Sequence, residues 1–433
     1  MQNPDICQQN GHLARESDQL PEKYCIIVDA YSSGSLIAPE FIKLGLTCIH
    51  VQSRKDIKMV ASTLREMDFS VSFLYDGDLD KLILKLREFK PLFVMPGFHT
   101  GVYLADILGT RLGIPSNNEC TTKFRMDKFL MHQTLAKYGI DHAKSFLVGN
   151  REELLNRFYH DFEERPVMVK PSNSAGTDMV FYCKSQDDVS NAFKNIHNKT
   201  NAMDITNEKI LIQEYLEGDE YIVNTVSFNG YHITTDIWRS YKNIINDRTF
   251  FYDRAELLES VGNIQQRLCE YNSKVLEALG FTFGACHNEL IMTSRGPVLV
   301  EMNPRLSGGH LPDIALVCTG MGQIGWVRKL AEQLLNQEAL KPVNYQLHKK
   351  SYVVTLISYV SGTLKRFENL DRIKSLQSFY SMDMRVNVGE NIKRTVDVWT
   401  GPGLVVLTHD DPQIVHEDFI KVREIEKEGL YIL

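Results

Sequence analysis

Between Gly284 and Asp313 the chain reads GACHNELIMTSRGPVLVEMNPRLSGGHLPD, and its polar residues are spaced to do chemistry together. The segment reads as two strands joined by the turn Ser294-Arg295-Gly296-Pro297. On the second strand Leu299, Glu301, Asn303 and Arg305 alternate with Val298, Val300 and Met302. Residues two apart share a face of a strand, so Glu301, Asn303 and Arg305 are expected on one side and the three apolar residues on the other. His287 and Glu289 share a face of the first strand by the same rule. Paired as a hairpin, the strands bring two carboxylates and the Asn303 oxygen together. Such hard oxygen ligands suit Mg2+, which is commonly held by one or two carboxylates plus substrate phosphates. Arg305 could reach a phosphate oxygen. A solvated hairpin face also carries Glu and Asn, so the segments upstream must decide.

Those segments supply cations and a loop. PVMVKPSNSAGTDMVFYCKS reads strand, loop, strand, with Lys170 closing the first strand and Ser172 to Thr177 small and polar, including Ser174 and Gly176. Backbone N–H groups of such a loop can approach an anion closely. No Gly-Lys-Ser/Thr opens a helix here, so it is not a Walker loop; an ordinary hairpin loop is the plain alternative. In KILIQEYLEGDEYIVNTVSFNG, Gln213, Glu214, Tyr215 and Leu216 end one strand before Gly218 turns the chain into another, and Glu220 starts it. Backbone groups there could meet a purine edge, and Glu220 could take ribose hydroxyls. TTKFRMDKFLMHQTLAKYG reads as a helix with Lys128 beside the apolar Phe124 and Met131, or as a surface helix whose lysine snorkels.

The order of these parts resembles the ATP-grasp superfamily over roughly residues 116 to 340, with a matching α/β segment before it. The resemblance implies ATP and Mg2+ as cofactors, with one or two ions and Mn2+ as an acceptable substitute. It implies that Lys128 and Lys170 contact the phosphates, and that the Ser174 and Gly176 loop covers them. Gln213, Glu214, Tyr215 and Leu216 would line the adenine site and Glu220 would hold the ribose. Glu289, Glu301 and Asn303 would bind the metal, and Arg305, with Lys170, would stabilise the transferred phosphoryl group. Within the superfamily the chain looks most like the bacterial L-amino-acid ligases, from YCIIVDAYSSGSLIAPEFIKLGLTCIHVQS, the HNE ahead of the metal hairpin and NPRLSGGHLPD. That implies ADP-forming amide ligation between amino acids through an acyl phosphate. Purine-biosynthetic and carbamoyl-phosphate-synthase-like ligases, and a nonenzymatic nucleotide-binding regulator, are the alternatives. His287, Gly308, Gly309, His310 and Arg239 are candidates for substrate contact; for each histidine a structural role is equally open.

The remaining features set bounds. The chain has 433 residues, too many for one average domain. A net charge of −7, from 48 basic and 55 acidic residues, argues against nucleic acid as a partner. The eight cysteines include no C-x-x-C, so zinc and redox motifs get no support. Neither a leader-like apolar core near residue 1 nor a run long enough for a membrane span occurs, so a cytoplasmic protein without a membrane partner is expected. A homodimer is left open.

From Tyr24 to about residue 118, strands and amphipathic helices alternate, which predicts a parallel sheet covered on both faces. The expected fold is thus mixed α/β and α+β. A flexible arm covers 1–20, an N-terminal parallel α/β domain 21–118, an ATP-grasp domain 119–340, and a smaller β-rich C-terminal subdomain completing it 341–433. KNIINDRTFFYDRAELLES, after Lys242, shows no clear period and reads as a candidate lid or substrate loop.

Overall fold

The computed structural model describes residues 22–55, 57, 60–174, 178–201, 204–245, 249–337, 343–396 and 400–433. The proposed arm at 1–20 and Gly176 therefore lie outside the described residues.

The alternation after Tyr24 folds as expected. Strands β1 (Lys23–Val28), β2 (Leu46–Gln52), β3 (Val71–Leu74) and β4 (Val94–Pro96) form one parallel sheet in the order β3-β2-β1-β4. Strand alternation sends Cys25 and Ile27 to one face, against Ile37 and Phe41 of the helix Ile37–Ile42. Ile26 and Val28 face the other way, against Leu82 and Leu104 of the helices Leu79–Glu88 and Val102–Leu112. Both faces are buried, which is why these strands read as nearly continuous apolar runs.

A second sheet has four antiparallel strands: β5 (Ser145–Val148), β6 (Val167–Pro171), β7 (Phe181–Cys183) and β8 (Ile210–Glu214), in the order β5-β8-β6-β7. The third sheet has eight strands. Its first six in spatial order are β13 (Gly296–Asn303), β12 (Phe283–Thr293), β9 (Asp219–Phe228), β10 (Tyr231–Ile245), β11 (Thr249–Leu257) and β14 (Lys350–Thr355). The strands Gly403–His409 and Phe379–Met384 then extend it, and the C-terminal segment adds two small two-stranded sheets, Gly362–Thr363 with Asn391–Ile392 and Arg366–Phe367 with Tyr431–Ile432.

Two stretches differ from the sequence reading. The run after Lys242, where it is described, is strand and not an irregular loop. Its described residues, 242–245 and 249–257, belong to the long β10–β11 hairpin, paired from Trp238↔Leu257 to Ile245↔Thr249, and Arg254 and Glu256 both meet Tyr241. The helix carrying Lys128 is broken in two, Thr122–Met126 and Lys128–Lys137, by Asp127, which adopts an extended backbone and accepts a hydrogen bond from Leu130 N.

The parallel sheet and the large sheet share a core. Phe93 and Met95 pack with Val226, Phe283, Leu306 and the helix Gly322–Asn336 through Trp326, Val327 and Leu330. Asn117 stitches the junction: its amide donates to Phe283 O at 2.9 Å and its oxygen accepts from Thr282 N and Phe283 N at 2.8 and 2.9 Å. Beside it, Arg125 is completely buried on Asp106 at 2.7 Å and donates to the carbonyls of Leu279 and Gly280. No helix among the described residues is long and apolar enough to cross a membrane.

Candidate functional site

The expected hairpin forms, with His287 opposite Asn303 and Glu289 opposite Glu301. Its register slips between Glu289 and Leu290, so that Leu290 pairs with Leu299 and Val300 is the extra residue of a bulge. The bulge corrects one expectation. Leu299 joins Met302 in the core under the helix Asn263–Ala278, whereas Val298 and Val300 pack with Leu216 and Ile291. Glu301 and Asn303 keep their common face because they lie on one side of the bulge.

Asn303 Nδ2 donates to Glu301 Oε1 at 3.0 Å, and the Lys128 ammonium lies 2.8 Å from Glu301 Oε2. Burial opposes ionisation of Glu301, but Lys128, Asn303 and Lys170 outweigh it and hold the carboxyl far below the usual carboxylate range. Among the described residues no three His, Cys, Asp or Glu side chains form a metal cage by themselves. The donor set on offer is two carboxylates and an amide oxygen, all hard oxygens, which fits Mg2+ completed by phosphate oxygens better than a metal held by protein alone. A cation at Glu301 would compete with Lys128 and release that ammonium towards an anion.

Lys128 stands at the first turn of its helix because Asp127 breaks the chain there. Its Nζ also donates to Ser174 O at 2.7 Å, tying the loop after β6 to the hairpin. Ser174 is buried and its hydroxyl donates to Asp178. Lys170, at the end of β6, is 6% exposed. Burial, aided by Lys128 and Lys242, lowers its ammonium to about 8 against the pull of Glu301 and Glu289. Arg305 follows the end of β13; its Nη1 donates to Leu306 O at 2.6 Å, and its Nε is buried without a partner among the described residues.

In the segment expected to line a base, Gln213 is 3% exposed and its Nε2 has no partner among the described residues. Leu216 is buried with Ala143 and Val298. The Tyr215 ring lies 4.7 Å from that of Tyr182. The Glu214 carboxylate turns away to Arg295, at 2.7 and 2.9 Å, so only the main chain of Glu214 can face a base. Glu220 is buried in contact with Lys242. Burial alone would lower the Lys242 ammonium, but Glu220 and the Tyr252 hydroxyl hold it above the ordinary lysine range.

The substrate candidates divide. His287 is 6% exposed, and its Nδ1 meets Asn224 Oδ1 at 3.0 Å while Nε2 faces Glu289 at 3.4 Å. Asn224 is oriented by Asp236, whose fully buried carboxylate also accepts from Trp238 Nε1 at 2.7 Å and Thr235 Oγ1 at 2.8 Å. Gly308 and Gly309 leave open space where a Cβ would stand, and Gly309 has φ +62°. His310 stands apart from the row, 3.7 Å from Asp313 and 3.6 Å from Asp383; hydrogen bonding to Asp313 raises its imidazole above the ordinary value. Arg239 is not brought to the row. Strand alternation opposes it to Lys242: it pairs with Asp219 at 2.8 Å and lies over the Tyr241 ring, opposite the core residue Tyr221.

His99 was missed in the sequence. It follows β4 in PGFHTG, interacts with Asn303, Arg305, Lys128 and Glu301, and has Nδ1 buried without a partner among the described residues. Burial lowers its imidazole to about 3. Its place at the carboxyl end of a parallel strand, where such sheets meet ligands, was the available signal.

Known proteins are similar to this chain in sequence and fold. Residues 163–313 match the family model described as an ATP-grasp domain. Dapdiamide A synthase of Enterobacter agglomerans is 29% identical over 420 residues, covering 94% of this chain and 96% of that protein. A D-alanine–D-alanine ligase of Fervidobacterium nodosum is 27% identical over 190 residues, 40% of this chain and 57% of that one. Among solved structures, an L-amino acid ligase from Bacillus licheniformis superposes with a TM-score of 0.70 at 16% identity, covering 93% of this chain and 98% of the other. N5-carboxyaminoimidazole ribonucleotide synthetase from Thermotoga maritima gives 0.64 at 15% identity, over 93% and 98%. The ATP-grasp match spans Lys170, Glu220, Glu289, Glu301, Asn303 and Arg305, with Lys128 and His99 preceding it; residues 163–313 are similar to an ATP-grasp domain, and nearly the whole chain is similar to dapdiamide A synthase.

Proposed function

We propose that the protein joins the carboxylate of one amino acid, or of an amino-acid derivative, to the amine of another, forming an amide with release of ADP and phosphate. The observation that carries this reading is the convergence of Lys128, Lys170 and Arg305 on the face bearing Glu289, Glu301 and Asn303. Phosphoryl transfer asks mainly for positioning and charge neutralisation, and no protein nucleophile. The near full-length likeness to dapdiamide A synthase supports an amino-acid substrate class.

In this reading the nucleotide lies between the small and large sheets, its base against Leu216 and the main chain of 214–216. Lys170 and Lys128 hold phosphate oxygens, and Glu220 and Lys242 lie beside the ribose. Glu289, Glu301 and Asn303 would hold Mg2+, which when bound draws off charge from the terminal phosphates. A carboxylate oxygen of the donor attacks the γ-phosphorus and ADP leaves, giving an acyl phosphate. Arg305 neutralises the oxygens of the transferred group. The amine then attacks the acyl carbon, phosphate leaves, and the amine nitrogen loses its proton. His287, fixed by Asn224 and Asp236, and His99 face the space where these partners meet.

The test is incubation with Mg-ATP and single or paired amino acids, following ADP and searching for new amides by mass spectrometry. A dipeptide formed in step with ADP is the expected result. ADP release without an amide product across a wide panel would remove the amino-acid assignment and leave the phosphoryl chemistry standing.

A further inference from the structure

The small sheet is joined to the rest of the protein near Arg295 by two chain crossings. The chain enters the sheet after His142–Lys144, where β5 begins, and leaves it at Glu214, where β8 ends. Arg295 lies in the turn between β12 and β13, on the large sheet. Its two terminal nitrogens bind both oxygens of Glu214, at 2.7 and 2.9 Å, and one of them also donates to His142 O at 3.3 Å. The crossings are tied to each other as well: Lys144 N donates to Glu214 Oε2 at 3.1 Å, and Glu214 N donates to Lys144 O at 2.8 Å. One guanidinium from the large sheet thus holds both ends of the segment that carries Lys170.

Two further contacts seat this junction on the same hairpin. A Cβ at Gly218 would lie 2.1 Å from Met292 O, so the chain leaving β8 runs directly against β12. Leu216 packs with Val298 and Ile291, residues on the two strands that flank the Arg295 turn. Arg295 and Glu214 keep 41% and 28% of their side-chain surface, and an isolated pair that exposed would contribute little to stability. A planar fork on a carboxylate gives fixed geometry more than it gives energy. Fixed geometry is what a nucleotide held between two sheets requires.

We propose that Arg295 is a positioning residue for the nucleotide: with Glu214 it pins both crossings of the small sheet to the metal-binding hairpin. It thereby sets the adenine-lining main chain of 214–216 and the approach of Lys170 to the phosphates. This rests on the reading that ATP binds between the two sheets.

The experiment measures Mg-ADP binding by calorimetry and steady-state kinetics on the full chain, for wild type, Arg295→Ala, Arg295→Lys, Glu214→Ala and the double alanine variant. For Arg295→Ala the expected result is a Kd for Mg-ADP and a KM for ATP raised about tenfold, with kcat at saturating ATP within about twofold of wild type. Arg295→Lys falls between, because a point charge cannot fork, and the double variant is no weaker than the single ones. A folded Arg295→Ala that binds Mg-ADP like wild type overturns the proposal, as does a loss confined to kcat or additive effects of the two alanines. A purely structural role would lower the melting temperature and leave Kd and KM in place. If Arg295→Ala does not fold, Arg295→Lys decides by the same readout. A wild-type protein that does not bind Mg-ADP removes the ATP reading itself, a result distinct from equal binding by wild type and variant.

Discussion

Both oxygens of Glu301 are engaged, one by Asn303 and one by Lys128, and the carboxyl is held ionised. Its replacement should therefore remove charge control at the terminal phosphate without opening a hole in the core. Glu301→Ala is expected to lower ADP release by at least about 10²–10³-fold, the usual loss for one stabiliser of developing charge, with circular dichroism and melting little changed. Lys170 gives a pH test. Its folded value of about 8 lies below the unfolded one, so the folded protein has the weaker hold on that proton. Between those values the unfolded chain binds the extra proton, and stability should rise with pH from about 8 towards the ordinary lysine value. A phosphate placed beside Lys170 reverses the depression. Nucleotide binding near pH 8–9 should then take up a proton, seen as a calorimetric enthalpy that depends on the buffer's ionisation enthalpy. Lys170→Arg should abolish the uptake.

At the scale of elements, Asp127 is the point of leverage. It caps the helix that begins with Lys128, and without the cap that helix has no defined start. Asp127→Ala should cost about 1 kcal/mol of stability, typical of a lost cap, and should also weaken nucleotide binding, since Lys128 would no longer be aimed. The placing of Glu301 and Asn303 on one face, with Glu289 opposite Glu301, was legible because strand alternation sets it. The bulge at Val300 was not, because nothing local marks it; it is defined by the pairing of Leu290 with Leu299. The facing of Arg239 and Lys242 follows from alternation once Glu220 is placed opposite Ser240, and a sequence does not print that register. The direction of the Glu214 side chain depends on Arg295, far away in the chain. Long-range contacts of this kind leave no local signal. The parallel βα segment was readable for the opposite reason, since its pattern repeats within each strand and helix.

At the scale of the whole molecule, His99 reaches the site because the parallel sheet is locked to the large sheet. Arg125 and Asp106 lie buried in that junction, with Asn117 beside them. Burial raises the Asp106 carboxyl against the pull of Arg125, so removing the guanidinium strands an acid in the interior. Arg125→Ala is expected to destabilise by about 3–5 kcal/mol, the range for a broken buried pair, measured by chemical denaturation; a loss below about 1 kcal/mol would mean the junction is wetter or looser than described. Activity should fall along with it, because the sheets would no longer present His99 and Glu301 to one substrate.

The central claim is that the donor carboxylate attacks the γ-phosphorus of ATP. An acid labelled with ¹⁸O in its carboxylate tests this directly, since the attacking oxygen bridges carbon and phosphorus in the acyl phosphate and leaves with phosphorus when the amine attacks. With the labelled acid, Mg-ATP and the amine present, mass spectrometry should find one ¹⁸O in inorganic phosphate and none in the nucleotide, with ADP as the co-product. Label in AMP, with pyrophosphate released, would contradict the account.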